Sequence, residues 1–153
     1  MASPMLSVPG ATGVTEETTE LKLPSRLEAV GEGATAIAEF LSRTDIGEEA
    51  TFGIDMAVRE GIANAIIHGN KLDETKFVTI NVTKSPDFLE IEVRDQGQGF
   101  NPETISDPTT EENILKTSGR GIFFMRNFMD QVEWSVLPEG GTLLRMIKKI
   151  EKS

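Results

Sequence analysis

Residues 57–70 read AVREGIANAIIHGN, an apolar helical run into which Glu60, Asn64 and His68 are set at a strict spacing of four. At about 100° per residue these positions fall within roughly 80° of one another, a narrow stripe along one side of a helix. Ala57, Ala63, Ile66 and Ile67 are the residues expected to pack. A carboxylate, an amide and an imidazole lined up this way are either the wet side of an amphipathic helix or one wall of a site. The surrounding segments decide between the two.

The run belongs to a longer periodic segment, GEEATFGIDMAVREGIANAIIHGN, residues 47–70, whose C-cap is expected at Gly69 or Asn70. Upstream, PSRLEAVGEGATAIAEFLSR reads as a helix opened by an S-x-x-E capping box, Ser25 to Glu28, and preceded by a short strand, TELKL. Downstream, FVTINVTK and FLEIEVRD alternate Val78, Ile80, Val82 and Leu89, Ile91, Val93 around an SPD turn, a hairpin with one buried face. Residues 101–118, NPETISDPTTEENILKTS, carry two prolines and little periodicity and read as a mobile loop long enough to have a function. GRGIFFMRNFMD is a third helix with Ile122, Met125 and Met129 on one side, and QVEWSVL, a PEGG turn and TLLRMIKKI form a second hairpin. The order β-α-α-β-β-α-β-β predicts an α+β fold: a two-layer sandwich in which a largely antiparallel, mixed β-sheet is covered on one face by three α-helices.

The chain has 153 residues, one domain's worth, with 38% hydrophobic and 26% charged residues, as in ordinary soluble proteins. Residues 1–17, rich in Pro, Gly, Ser and Thr, read as a flexible leader, which leaves 18–153 as the domain. No apolar run approaches the roughly 20 residues of a membrane span, and no signal peptide opens the sequence, so a cytoplasmic location without membrane contact is expected. With no cysteine there are no disulfides and no thiolate metal sites. A net charge of −10 argues against direct binding of nucleic acid. A polyanion could be held only locally, by backbone N–H groups, a few cations and a metal ion.

Two glycine-bearing stretches offer such a place. Asp95-Gln96-Gly97-Gln98-Gly99 follows a strand directly, and its glycines permit close backbone approach while Asp95 can accept a hydrogen bond from an amino group such as that of adenine. Gly119-Arg120-Gly121 opens the third helix after Thr117 and Ser118, a helix N-terminus suited to phosphates, with Lys116 and Arg120 adding charge. The P-loop and the protein-kinase signature are both missing.

E-x-x-x-N-A-x-x-H-G-N at Glu60–Asn70, D-x-G-x-G-F at Asp95–Phe100, S-G-R-G-I-F-F-M-R at Ser118–Arg126 and G-T at Gly141-Thr142 together resemble the N, G1 and G2 boxes and terminal threonine of the GHKL, or Bergerat-fold, ATPases. Within that superfamily the chain most resembles the anti-sigma-factor serine/threonine kinases, over about residues 20–150. The resemblance implies ATP as ligand, with Asn64 holding Mg²⁺, Asp95 reading adenine, and Gly97, Gly99, Gly119 and Gly121 shaping a pocket beneath a lid formed by 101–118. Thr142 would support the adenine end, while Lys116, Thr117, Ser118 and Arg120 sit at the phosphate side. Glu60, one turn from the metal ligand, becomes the candidate base, and His68 a structural histidine. Gly61 departs from the alanine expected after the glutamate. The implied partners are a sigma factor, an anti-sigma antagonist phosphorylated on serine, and a second copy in a homodimer. A nucleotide-binding module that sequesters its partner without phosphotransfer is the alternative. A sensor histidine kinase is disfavoured, since no dimerising helix with a phospho-acceptor histidine is seen ahead of the domain.

Overall fold

The computed structural model describes residues 16–99 and 117–150. Most of the leader and of the 101–118 loop, with Phe100 and Lys116, lies outside the described residues. Strand β1 (Glu17–Pro24) leads to helices α1 (Glu28–Ser42) and α2 (Glu48–Asn64), and a π-helical turn (Ala65–Gly69) continues α2. Strands β2 (Phe77–Lys84) and β3 (Phe88–Arg94) follow, then helix α3 (Thr117–Phe128) and strands β4 (Gln131–Val136) and β5 (Thr142–Lys149). The expected elements are all present in the expected order.

The strands form one five-stranded sheet in the order β1-β2-β3-β5-β4, and every pairing is antiparallel. Two hairpins, β2–β3 and β4–β5, are joined along a central seam in which Arg94 faces Leu143 and Phe88 faces Lys149. Alternation does what period two requires. Val78, Ile80, Val82, Leu89, Ile91, Val93, Leu144 and Met146 turn to the helices and are buried. On the open face, Arg145 pairs with Glu90 and, at 3.6 Å, with Glu133. The helices close the core from the other side with Ile37, Phe40, Ile54, Val58, Ile62, Ile66, Met125 and Met129. Ile67, by contrast, is exposed rather than packed.

Two local expectations are corrected. The α1 N-cap is Leu27 and makes no side-chain cap bond, because Ser25 Oγ donates instead to the Lys76 carbonyl at 2.8 Å. The third helix begins at Thr117, so Thr117 and Ser118 lie inside its first turn rather than ahead of it. Gly33 sits within α1 because a Cβ there would stand 2.8 Å from the Leu23 side chain and 2.9 Å from that of Ile62. The helix spends propensity on close approach to the sheet.

Candidate functional site

Asp95 continues β3 for one residue: its N–H donates to the Thr142 carbonyl at 3.1 Å, at the end of the central seam. The side chain is buried, and Oδ1 accepts from the N–H groups of Gly97 at 3.0 Å and Thr142 at 3.1 Å. Burial raises the carboxyl pKa above its ordinary value, and those two N–H groups work against the rise. Glycines crowd it: a Cβ on Gly69 would fall on the Asp95 carboxylate, one on Gly97 on the Gly69 carbonyl, and one on Gly141 on the Asp95 carbonyl. Gly99 has φ +92°, which favours glycine for its conformation as well. A narrow crevice of about 10 Å³, lined by Gly61, Ala65, Val93, Asp95, Thr142 and Leu144 beside Trp134, runs up to this carboxyl group. Thr142 Oγ1 is buried beside it with no hydrogen-bond partner.

Gly61 is explained by the same crevice. A Cβ there would stand 2.8 Å from Leu144 Cδ2, so glycine lets β5 approach α2. Gly69, a cap residue and part of the H-G-N ending in the sequence, lies in the structure directly against the Asp95 carboxylate.

Glu60 and Asn64 lie one turn apart on α2, each next in sequence to a residue that lines the crevice, Gly61 and Ala65. Asn64 is 1% exposed, and neither its Oδ1 nor its Nδ2 has a hydrogen-bond partner; Glu60 Oε2 is buried and equally unsatisfied. Desolvation pushes the Glu60 carboxyl from 4.5 up to about 7, while the nearby Asn64 amide, without a bond of normal geometry, pulls weakly the other way. α3 holds the carboxylate in place, since a Cβ at Gly121 would fall on it. Buried orphan oxygens are costly unless something satisfies them. Asn64 Oδ1, a buried oxygen donor with no partner, suits a hard cation such as Mg²⁺. No group of three or more His, Asp or Glu side chains that could hold a metal occurs among the described residues, so phosphate oxygens and water would complete such a shell. His68, half-buried, belongs to the π-helical turn.

The structure thus sets Asp95, Gly97, Gly99 and Thr142 together at the end of the seam, and Gly121 against Glu60 on α2, where Asn64 follows one turn on. Thr117, Ser118, Gly119 and Arg120 are placed by the backbone of α3's first turn. Among the described residues no helix is long and apolar enough to cross a membrane.

Residues 23–148 match the family described as Histidine kinase-like ATPase domain. The chain is 34% identical to the anti-sigma F factor of Clostridium perfringens over 132 residues, 85% of this chain and 94% of that protein. It is 34% identical to the anti-sigma F factor of Bacillus subtilis over 119 residues, 76% of this chain and 82% of that protein. In fold it is similar to the crystal structure of the RsbU and RsbW domains of Rv1364c from Mycobacterium tuberculosis, with a TM-score of 0.66 at 14% identity, over 90% of this chain and 33% of that longer one. With the helix-covered antiparallel sheet and these likenesses running along most of its length, the chain belongs to the histidine kinase-like (GHKL) ATPases and, among them, to the anti-sigma F factor family.

Proposed function

We propose that the protein is an ATP- and Mg²⁺-dependent serine/threonine kinase that sequesters a sigma factor as a homodimer and phosphorylates an antagonist of that sequestration. The observation that carries the enzymatic part is Glu60: a carboxylate one turn from an unsatisfied buried amide, with its pKa raised to about 7. A buried carboxyl group beside the amide proposed to hold the metal is placed to accept a proton from a hydroxyl group brought to the phosphate.

Each residue then has a task. Asp95 accepts a hydrogen bond from the adenine amino group, and Thr142 Oγ1 finds its missing partner at the same end. Trp134, beside the crevice, makes a fluorescent reporter of nucleotide binding. The first turn of α3, Thr117 to Gly121, offers backbone N–H groups to the phosphates, with Lys116 and Arg120 as the cations the sequence supplies beside it. Asn64 would hold Mg²⁺, which would supply charge neutralisation at the phosphates. Glu60 takes the proton from a serine hydroxyl as that oxygen bonds to the γ-phosphorus and the bond to the β-phosphate oxygen breaks, leaving ADP.

The test is transfer of labelled phosphate from ATP to a co-purifying partner protein. Glu60→Gln keeps the shape and the adenine contacts, so nucleotide affinity should hold while transfer slows roughly 10²- to 10⁴-fold. Equal transfer by the variant, or none by the wild type to any partner, would make the protein a sequestering module without phosphotransfer.

A further inference from the structure

The residue that sets the adenine-reading loop in place is not in the loop. Asn70, 1% exposed, follows the π-helical turn, whose closing bond runs from its own N–H to the Ala65 carbonyl at 2.8 Å. Its side chain reaches three separate parts of the chain. Gln96 N–H donates to Asn70 Oδ1 at 2.7 Å, and Asn70 Nδ2 donates to the Phe77 carbonyl at 3.0 Å and to Ser25 Oγ at 2.9 Å. Ser25 Oγ in turn donates a hydrogen bond to the Lys76 carbonyl at 2.8 Å, and Phe77 N–H donates to Gln96 Oε1 at 2.6 Å. The amide has one orientation only, because a flip would set oxygen against the Phe77 carbonyl and NH₂ against the Gln96 N–H.

The peptide unit that Asn70 grips is the one directly after Asp95. On its carbonyl side Gly141 packs so closely that a Cβ would collide with the Asp95 oxygen. On its N–H side Asn70 Oδ1 is the partner. The plane is clamped at both ends, which fixes the direction in which the Asp95 carboxylate leaves the backbone.

We infer that Asn70 is a positioning residue for base recognition: through Gln96 it aims Asp95, and so gives the site its preference for adenine over guanine. The inference rests on the reading of Asp95 as the adenine acceptor. Adenine presents an amino donor where guanine presents a carbonyl oxygen, so a misaimed carboxylate costs ATP its hydrogen bond and costs GTP nothing. A residue that merely held the fold would weaken both nucleotides together.

The experiment measures ATP and GTP affinity by Trp134 fluorescence and calorimetry, with Mg²⁺, at a temperature where each variant is folded. Asn70→Ala should lower ATP affinity at least 10-fold and GTP affinity less than 3-fold, and in an Asp95→Ala background it should have no further effect on the ATP-to-GTP ratio. Ser25→Ala, which removes only the distant arm of the network, should shift the ratio the same way by a smaller factor, and it carries the test if Asn70→Ala does not fold. An unchanged ratio in the folded variants, or a parallel fall for both nucleotides, overturns the inference. A wild type that binds ATP no better than GTP overturns instead the adenine reading of Asp95.

Discussion

At Glu60 the sequence and the structure supply different halves of one argument. The spacing to Asn64 places a carboxylate one turn from an amide, and that much is legible in the letters alone. What the letters do not carry is the degree of burial, since it depends on Gly121, sixty-odd positions away, lying against the carboxylate. That burial has a consequence for stability as well as for proton transfer. A carboxyl with a pKa of about 7 in the fold and an ordinary value of 4.5 holds its proton more tightly when folded. The stability it contributes is therefore present in full below pH 4.5 and is lost as the pH rises through 7, a difference of up to about 3 kcal/mol. Glu60→Gln, neutral throughout, should flatten this slope: its melting temperature should exceed the wild type's by several degrees at pH 8 and match it near pH 4. Calorimetric melts across that range decide the matter, and identical slopes in the two proteins would mean that the carboxylate is solvated.

Among the elements, those with a clean period were readable and their ends were not. β2, β3 and β5 follow period two, and α3 follows 3.6 with Ile122 and Met125 fully buried, because one face of each meets a common core. Ends are settled by tertiary partners instead. Ser25 had the right spacing to cap α1, yet Lys76 and Asn70 claim its hydroxyl. The π-helical turn was likewise hidden, since no residue type announces it; only the bonds of Asn70 show why the extra residue is wanted. The packing of α3 on α2 gives a prediction at this scale. Gly121→Ala should force the Glu60 carboxylate aside and lower the urea midpoint by the equivalent of about 1 to 3 kcal/mol, as overpacking does. An unchanged midpoint would show that α3 can shift away freely.

For the molecule as a whole, the sandwich and its single-sided helical cover followed from the order of the elements, whereas the strand order β1-β2-β3-β5-β4 did not. Local patterning identifies two hairpins but cannot say which strand of the second is offered to the first. The polar outer face of β4, with Gln131, Glu133 and Ser135 exposed, marks it as an edge once the sheet is seen. The seam between β3 and β5 joins residues about fifty apart in the chain, a closure that two-state folding pays for in rate. Asp95 and Thr142 stand at opposite sides of that seam, so the pocket proposed to read adenine does not exist in either hairpin alone. A ligand that binds only the finished seam slows unfolding and leaves folding untouched. In stopped-flow refolding followed by Trp134, saturating Mg²⁺-ATP should lower the unfolding arm of the chevron while the folding arms superimpose; a faster folding arm would mean that the seam is already closed at the barrier. With superimposed folding arms, nucleotide would act as a clock on the folded state, lengthening the interval before each opening without hastening its return.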